Sequence, residues 1–76
     1  MKVGDYVELT YKKRGWYGIL IKYSEGDINN IHSGFYDIYV TGRRKGGRRY
    51  RWNRQPPFIS HGYAPNCFKL LVSCDV

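Results

Sequence analysis

The sequence has few acidic residues and no long apolar run. Six Asp and Glu residues stand against thirteen Lys and Arg, which gives a formal net charge of +7 at pH 7. No apolar stretch approaches the ~20 residues of a membrane-spanning helix, and the start, MKVGDYVELT, lacks the apolar segment of a signal peptide. We therefore expect a cytoplasmic protein with no membrane partner. Such a basic balance in a small chain favours a polyanionic partner, above all nucleic acid.

Cysteine and histidine are scarce, with two of each. Cys67 and Cys74 do not have the spacing of a disulfide framework, so reduced thiols are expected. Zinc ligands usually come in close pairs, and neither these cysteines nor His32 and His61 form one, so we predict no metal and no other cofactor. The acidic residues are too scattered for a paired-carboxylate site, and RKGGR lacks the helix that follows a phosphate-binding loop. We expect no enzymatic activity.

Helical patterning is absent as well. No window of a dozen residues repeats apolar side chains at helical spacing, whereas β-branched and aromatic residues dominate the apolar runs. Aromatic residues make up 17% of the sequence, which suits a folded β-rich domain and not a disordered tail. We expect the 76 residues given to form a single domain over 1–76. A chain of this size buries only about 60% of its unfolded surface, which leaves little room for a deep cleft.

Alternation of apolar and polar residues predicts about five short strands. They are expected at 5–11, 16–23, 35–42, 48–52 and 67–72. The second has apolar groups on both faces, which indicates a central strand covered on each side, and Gly18 within it indicates a bend or bulge. A polar loop is expected over 24–34. Prolines exclude a central strand from 53–66, where we expect a loop that ends in a 3₁₀ turn near Ala64–Asn66.

The strand pattern favours an all-β fold closed into a small, strongly bent barrel. The segments KVGDYVEL, GWYGILIKY, YDIYV and FKLLV resemble those of SH3-like barrels of the KOW and Tudor type. Such barrels open with Gly-Asp before the first strand and end with a short 3₁₀ turn before the last. The resemblance implies a five-stranded SH3-like barrel. Its KOW members are often found on RNA, DNA or polymerase-associated proteins, and its Tudor members bind methylated side chains in aromatic cages.

The sequence departs from that family pattern at 24–34 and at TGRRKGGRRYRWNR, residues 41–54. Loops decide function in this fold, so these departures matter for the ligand. We predict a basic β-hairpin whose arms are 35–42 and 48–52, with RRKGG at its tip. No acid lies within 41–54, so the like charges repel one another, and an anionic ligand would relieve that repulsion. The basic residues are Arg43, Arg44, Lys45, Arg48, Arg49, Arg51 and Arg54.

Two aromatic residues, Tyr50 and Trp52, alternate with these arginines. They are candidates for stacking on bases, although alternation also permits both rings to point into the core. Lys12, Lys13 and Arg14 form a second basic patch in the first turn. Arginine binds a phosphate through two parallel hydrogen bonds. The sequence therefore predicts a small module that binds RNA or DNA mainly through the phosphate backbone, with little base discrimination.

The alternative is an adaptor or inhibitor that docks on an acidic protein, for example one associated with transcription or translation. Trp16, Tyr17 and Tyr23 would then be the aromatic anchors. A Tudor-like cage for a methylated residue is a narrower form of this alternative, but a cation-binding cage fits poorly with a charge of +7. A role at the membrane surface has no amphipathic helix to support it.

Overall fold

The computed structural model describes residues 1–25, 34–50 and 54–74, which form one antiparallel sheet. Its strands are β1 (Tyr6–Leu9), β2 (Trp16–Ser24), β3 (Phe35–Arg43), β4 (Phe58–Tyr63) and β5 (Phe68–Val72). Two 3₁₀ turns, Tyr11–Lys13 and Pro65–Cys67, precede β2 and β5. The all-β class and the short 3₁₀ turn before the last strand are confirmed.

The five strands lie in the order β4-β3-β2-β1-β5, with β4 and β5 at the two edges. Within the described residues no pairing between β4 and β5 closes the sheet, so the closed barrel expected from the sequence is not observed. The first strand nevertheless pairs with the last, with Leu9 opposite Phe68. The architecture is compatible with an SH3-like fold.

The partner of β3 at the sheet edge is β4, and the prediction of 48–52 as that partner is wrong. Ile59 of β4 lies opposite Tyr39. The described residues 48–50 have no regular secondary structure, and 51–52 lie outside the described residues. The prolines of 53–66 flank β4 without interrupting it, and an edge strand needs backbone pairing on one side only. The predicted loop is therefore wrong over β4, although the exclusion of a central strand was correct.

The other four predicted strands each overlap an observed one, and β2 and β3 both extend one residue beyond the predicted end. The first is shorter than predicted because Tyr11 begins a 3₁₀ turn, in which Lys12 and Lys13 have φ of +52° and +60°. The predicted 3₁₀ turn near Ala64–Asn66 is observed one residue later. Most of the predicted loop at 24–34 lies outside the described residues.

One face of the sheet carries the core. Its residues alternate along the strands with period two, as the sequence predicted. The buried cluster consists of Val7, Leu9, Trp16, Leu20, Tyr36, Ile38, Val40 and Phe68. The Tyr36 hydroxyl donates to the carbonyl of Met1 at 2.8 Å, and the Trp16 indole N–H donates to the carbonyl of Arg48 at 2.9 Å. The hydroxyl of Tyr36 and the indole N–H of Trp16 therefore both have hydrogen-bond partners, as polar atoms in a core require.

The β2 strand is central, as predicted, but it is covered on one face only. Trp16 and Leu20 are buried, whereas Ile19 and Ile21 on the other side are 39% and 40% exposed. The expectation of a strand covered on both faces is therefore wrong, because the described residues form a single sheet and none of them covers Ile19 and Ile21 as a second layer would.

Gly18 lies at a register shift between β2 and β3, which confirms the bulge expected there. A β-carbon at this position would collide with the backbone carbonyl of Tyr39. The close approach of the two strands therefore requires a glycine at position 18.

Candidate nucleic-acid interface

The basic segment after β3 turns tightly and leaves the sheet. The N–H of Gly47 donates to the carbonyl of Arg44 at 2.9 Å. Gly46 within this turn has φ of +83°, which glycine adopts without strain. The Nη1 atom of Arg43 donates to the carbonyl of Gly47 at 2.8 Å and so fixes this side chain on the turn. A turn at RRKGG is thus observed, but residues 48–50 directly after it do not pair with β3, and the strand that does pair there is β4.

Two backbone hydrogen bonds join this segment to the residues just before β2. The N–H of Arg44 donates to the carbonyl of Gly15 at 2.8 Å, and the N–H of Arg48 donates to the carbonyl of Arg14 at 3.0 Å. The two basic patches predicted separately from the sequence are therefore neighbours at one end of the sheet. We call this area the basic surface. Its described residues are Lys12, Lys13, Arg14, Arg43, Arg44, Lys45, Arg48, Arg49 and Arg54.

Few carboxylates neutralise the basic surface. Among the described residues its one ion pair joins Nε of Arg44 to Oε2 of Glu8 at 3.8 Å. Two other carboxylates, the buried Asp5 and the partly buried Asp37, have partners of their own: Asp5 accepts two backbone N–H groups, and Asp37 is 3.0 Å from Nδ1 of His61. In the described part of the chain, most of the like charges that the sequence predicted to repel are thus uncompensated.

The guanidinium of Arg14 lies among three aromatic rings, whereas Arg43 and Arg54 each lie over one. The Cζ atom of Arg14 is 5.2 Å from the ring centre of Trp16, 5.6 Å from that of Tyr11 and 5.8 Å from that of Tyr63. The Nη1 atom is buried and has no hydrogen-bond partner among the described residues. Cation–π attraction stabilises the charge in this setting. Arg14 therefore packs the turn before β2 against the end of β4.

Tyr50 packs toward the core. Its ring centre is 5.5 Å from that of Trp16 and 5.3 Å from that of Phe58. Burial raises the pKa of Tyr50, against a smaller opposing effect of Arg43, so the phenol keeps its proton at neutral pH. Of the two orientations that the sequence left open for Tyr50, the structure therefore has the inward one. Trp52 and Arg51 lie outside the described residues, and their roles stay predictions.

A shallow hollow of about 250 Å³ opens on the basic surface, lined by Arg43, Arg49, Tyr50 and Gln55. Guanidinium, phenol and amide side chains all carry hydrogen-bond donors. Arginine in such a setting binds phosphate oxygens with charge-assisted hydrogen bonds. Gln55 was not identified from the sequence, because a single amide next to two prolines has no pattern that marks it. The hollow has the chemistry of a phosphate subsite.

Other kinds of site are not formed within the described ranges. No three His, Cys, Asp or Glu side chains group there as the ligands of a metal would. Cys67 and Cys74 are free thiols. In the same ranges no helix has the length and apolarity needed to cross a membrane.

Fold and surface together define a small all-β domain, compatible with an SH3-like fold, with a basic surface at one end of its sheet. No protein-family model, no curated protein and no solved structure matches the chain. The chemistry of the basic surface is therefore the main indication of function.

Proposed function

We propose that this protein is a small, non-enzymatic module that binds RNA or DNA through its basic surface. One observation carries the proposal: two basic segments distant in sequence are joined by backbone hydrogen bonds, while a single carboxylate lies within ion-pair distance of them among the described residues. A bound polyanion would stabilise such a concentration of positive charge. Binding would also release counterions from the polyanion, and the entropy of the released ions favours the complex.

Phosphate groups are the expected contacts. The hollow between Arg43 and Arg49 suits one phosphate, and Arg44, Lys45 and Arg48 extend the positive surface around it. Contacts of this kind fix the position of a nucleic acid without distinguishing its bases. The affinity should therefore depend strongly on salt and weakly on sequence.

We further propose that the domain is an SH3-like barrel nearer to the KOW type than to the Tudor type, and that it acts in the cytoplasm. The support for the fold is the strand order, in which β1 lies between β2 and β5, and the 3₁₀ turn that leads into β5. The support for the KOW type is the charge of +7, which suits a polyanion better than it suits a methylated, cationic side chain.

The test is a binding titration of labelled RNA and DNA at about 50 and 200 mM salt. The double variant Arg43→Gln with Arg49→Gln should bind every sequence more weakly. The slope of log affinity against log salt should become smaller by about one to two, because up to two phosphate contacts are lost.

The matched control removes the same charge elsewhere, with Lys2→Gln and Lys22→Gln. It should retain nearly all of the slope. Unchanged affinity and slope in the arginine variant would place the interface elsewhere. Recovery of one partner protein that persists after nuclease treatment, without binding of RNA or DNA by the pure protein, would favour the adaptor alternative.

A further inference from the structure

The face of the sheet opposite the core carries a continuous row of apolar side chains. The strand register places its members directly opposite one another from β5 to β4, in the order Val72, Tyr6, Ile19, Tyr39 and Ile59. Ile19, Tyr39 and Ile59 are 39%, 37% and 41% exposed. Four inter-strand spacings of ~4.8 Å make the row ~19 Å long. We call this row the apolar stripe.

The stripe is continuous with the basic surface on one side. The next row of the register aligns Lys69, Glu8 and Tyr17. The ring of Tyr17 is stacked on that of Tyr6, with centres 6.4 Å apart and planes inclined by 29°. Arg44 of the basic surface lies 3.8 Å from Glu8 on this same border. Apolar and aromatic side chains therefore adjoin an arginine and a lysine.

On its other side the stripe has a charged border that is largely neutralised. Lys22 lies opposite Asp37, whose carboxylate is also bonded to Nδ1 of His61 at 3.0 Å. Burial opposes ionisation of Asp37, but the bonds from His61 and from a backbone N–H outweigh it and lower the pKa. The excess positive charge therefore lies on the side of Arg44 and Lys69.

We propose that the apolar stripe binds unpaired bases of a single-stranded nucleic acid whose phosphates lie along the basic surface. This inference rests on the proposed function. Bases are flat and apolar on their faces, and stacking on aromatic rings accepts any base. A duplex keeps those faces within its own stack, so only an unpaired strand can use the stripe and the basic surface together.

Charge argues against a second copy of the chain as the occupant. Two copies meeting at this face would each bring a net charge of +7, and their repulsion opposes association. A single strand instead supplies negative charge for Arg44 and Lys69 and apolar base faces for Tyr39. Because neither kind of contact uses the 2′-hydroxyl, RNA and DNA strands should bind alike.

The decisive variant is Tyr39→Leu, which keeps apolar bulk and removes the ring. Anisotropy titrations would use oligothymidylate and oligouridylate of about 15 nucleotides, with duplexes of similar length. Loss of stacking should weaken binding of both single strands about 5-fold or more and leave duplex binding within about twofold. Tyr39→Phe, which retains the ring, should bind as the parent does.

Tyr23→Leu is the matched control, since Tyr23 is 42% exposed and lies outside the stripe. It should leave the affinity for single strands unchanged. Tyr17→Leu, in the adjacent row, gives a second and independent variant, and thermal melting confirms that each variant folds. Unchanged single-strand binding of folded Tyr39→Leu and Tyr17→Leu would overturn the inference, as would an equal loss on duplexes.

The same titration separates this inference from the function on which it rests. If the Arg43→Gln and Arg49→Gln variant loses affinity for every nucleic acid while Tyr39→Leu and Tyr17→Leu lose none, the stripe inference fails and the proposed function stands. If the parent protein binds neither single strands nor duplexes at low salt, both fail. A protein partner lost specifically in Tyr39→Leu, with single-strand binding intact, would assign the stripe to that protein and overturn the inference.

Discussion

The carbonyl of Arg14 accepts a hydrogen bond from the backbone N–H of Arg48 at 3.0 Å, and the carbonyl of Arg48 accepts one from the indole N–H of Trp16 at 2.9 Å. Both the backbone N–H and the backbone carbonyl of Arg48 are thus hydrogen-bonded to residues around the start of β2. Its backbone is fixed to the buried Trp16, while its charged side chain is exposed. The core and the basic surface therefore depend on each other.

The variant Trp16→Phe should reveal this dependence. It removes the indole N–H, leaves the carbonyl of Arg48 without that donor and reduces the packing against Tyr50. We expect a loss of about 1–3 kcal/mol in the free energy of unfolding, measured by urea denaturation. Nucleic-acid affinity should fall as well, because Arg48 is no longer held beside Arg14.

The control for Trp16→Phe is Tyr39→Phe, an aromatic change at a half-exposed site that should cost less than about 0.5 kcal/mol. Equal stability of the Trp16→Phe variant and the parent would contradict the role assigned to the indole bond.

Most of the fold was predictable from local pattern. Period-two alternation predicted the strand at 35–42, whose alternate residues Tyr36, Ile38 and Val40 are buried, and Gly18 marked the bulge. The edge strand β4 was not predicted, because prolines at 56, 57 and 65 indicate an interrupted ladder, whereas in the structure they lie on either side of the strand. Alternation could not show that Ile19 stays exposed, because that depends on whether a second layer covers the sheet.

The candidate site was predictable in composition and not in geometry. Arginine density identified Arg43, Arg44 and Arg48, but alternation placed the chain after them beside β3. The bond between Arg48 and Arg14 joins residues far apart in the sequence, and no local pattern encodes such a contact. The apolar stripe was missed for a similar reason, since it exists only through the register of five strands.

The stability of the domain should decrease in acid because of Asp5. This carboxylate is buried and accepts the backbone N–H groups of Cys74 and Lys2, each at 2.8 Å. The bond from Cys74 is the main cause that lowers the pKa of Asp5, followed by that from Lys2, and together they outweigh the opposing effect of burial. The carboxylate thereby holds the two ends of the described chain together.

The sign of the pH effect follows from that lowered pKa. An unfolded aspartate has a pKa of about 3.9, so the stabilisation from Asp5 is present above about pH 4 and is lost as pH falls through the folded pKa. Melting temperatures measured from pH 7 to pH 3 should decrease at the acid end. The variant Asp5→Asn should melt lower than the parent at pH 7 and show a smaller acid dependence, whereas Glu25→Gln, at an exposed position, should follow the parent. If the melting temperature of Asp5→Asn depends on acid as that of the parent does, the acid dependence comes from other groups. The first of these to test is Asp37, whose pKa is also lowered.

The close approach of β2 and β3 at Gly18 gives the last prediction. A β-carbon at this position meets the backbone carbonyl of Tyr39, and backbone atoms in a paired strand cannot move aside without breaking the ladder. Gly18→Ala should therefore lower the free energy of unfolding by about 2 kcal/mol or more in urea denaturation.

Gly42→Ala is the matched control, because a β-carbon there has no neighbour within 4 Å among the described residues. Both glycines lie on strands of the same pair, and a difference between the two variants isolates the steric effect from the change in backbone freedom. Equal effects of the two substitutions would mean that the strands can separate at position 18, and the bulge would then not require glycine.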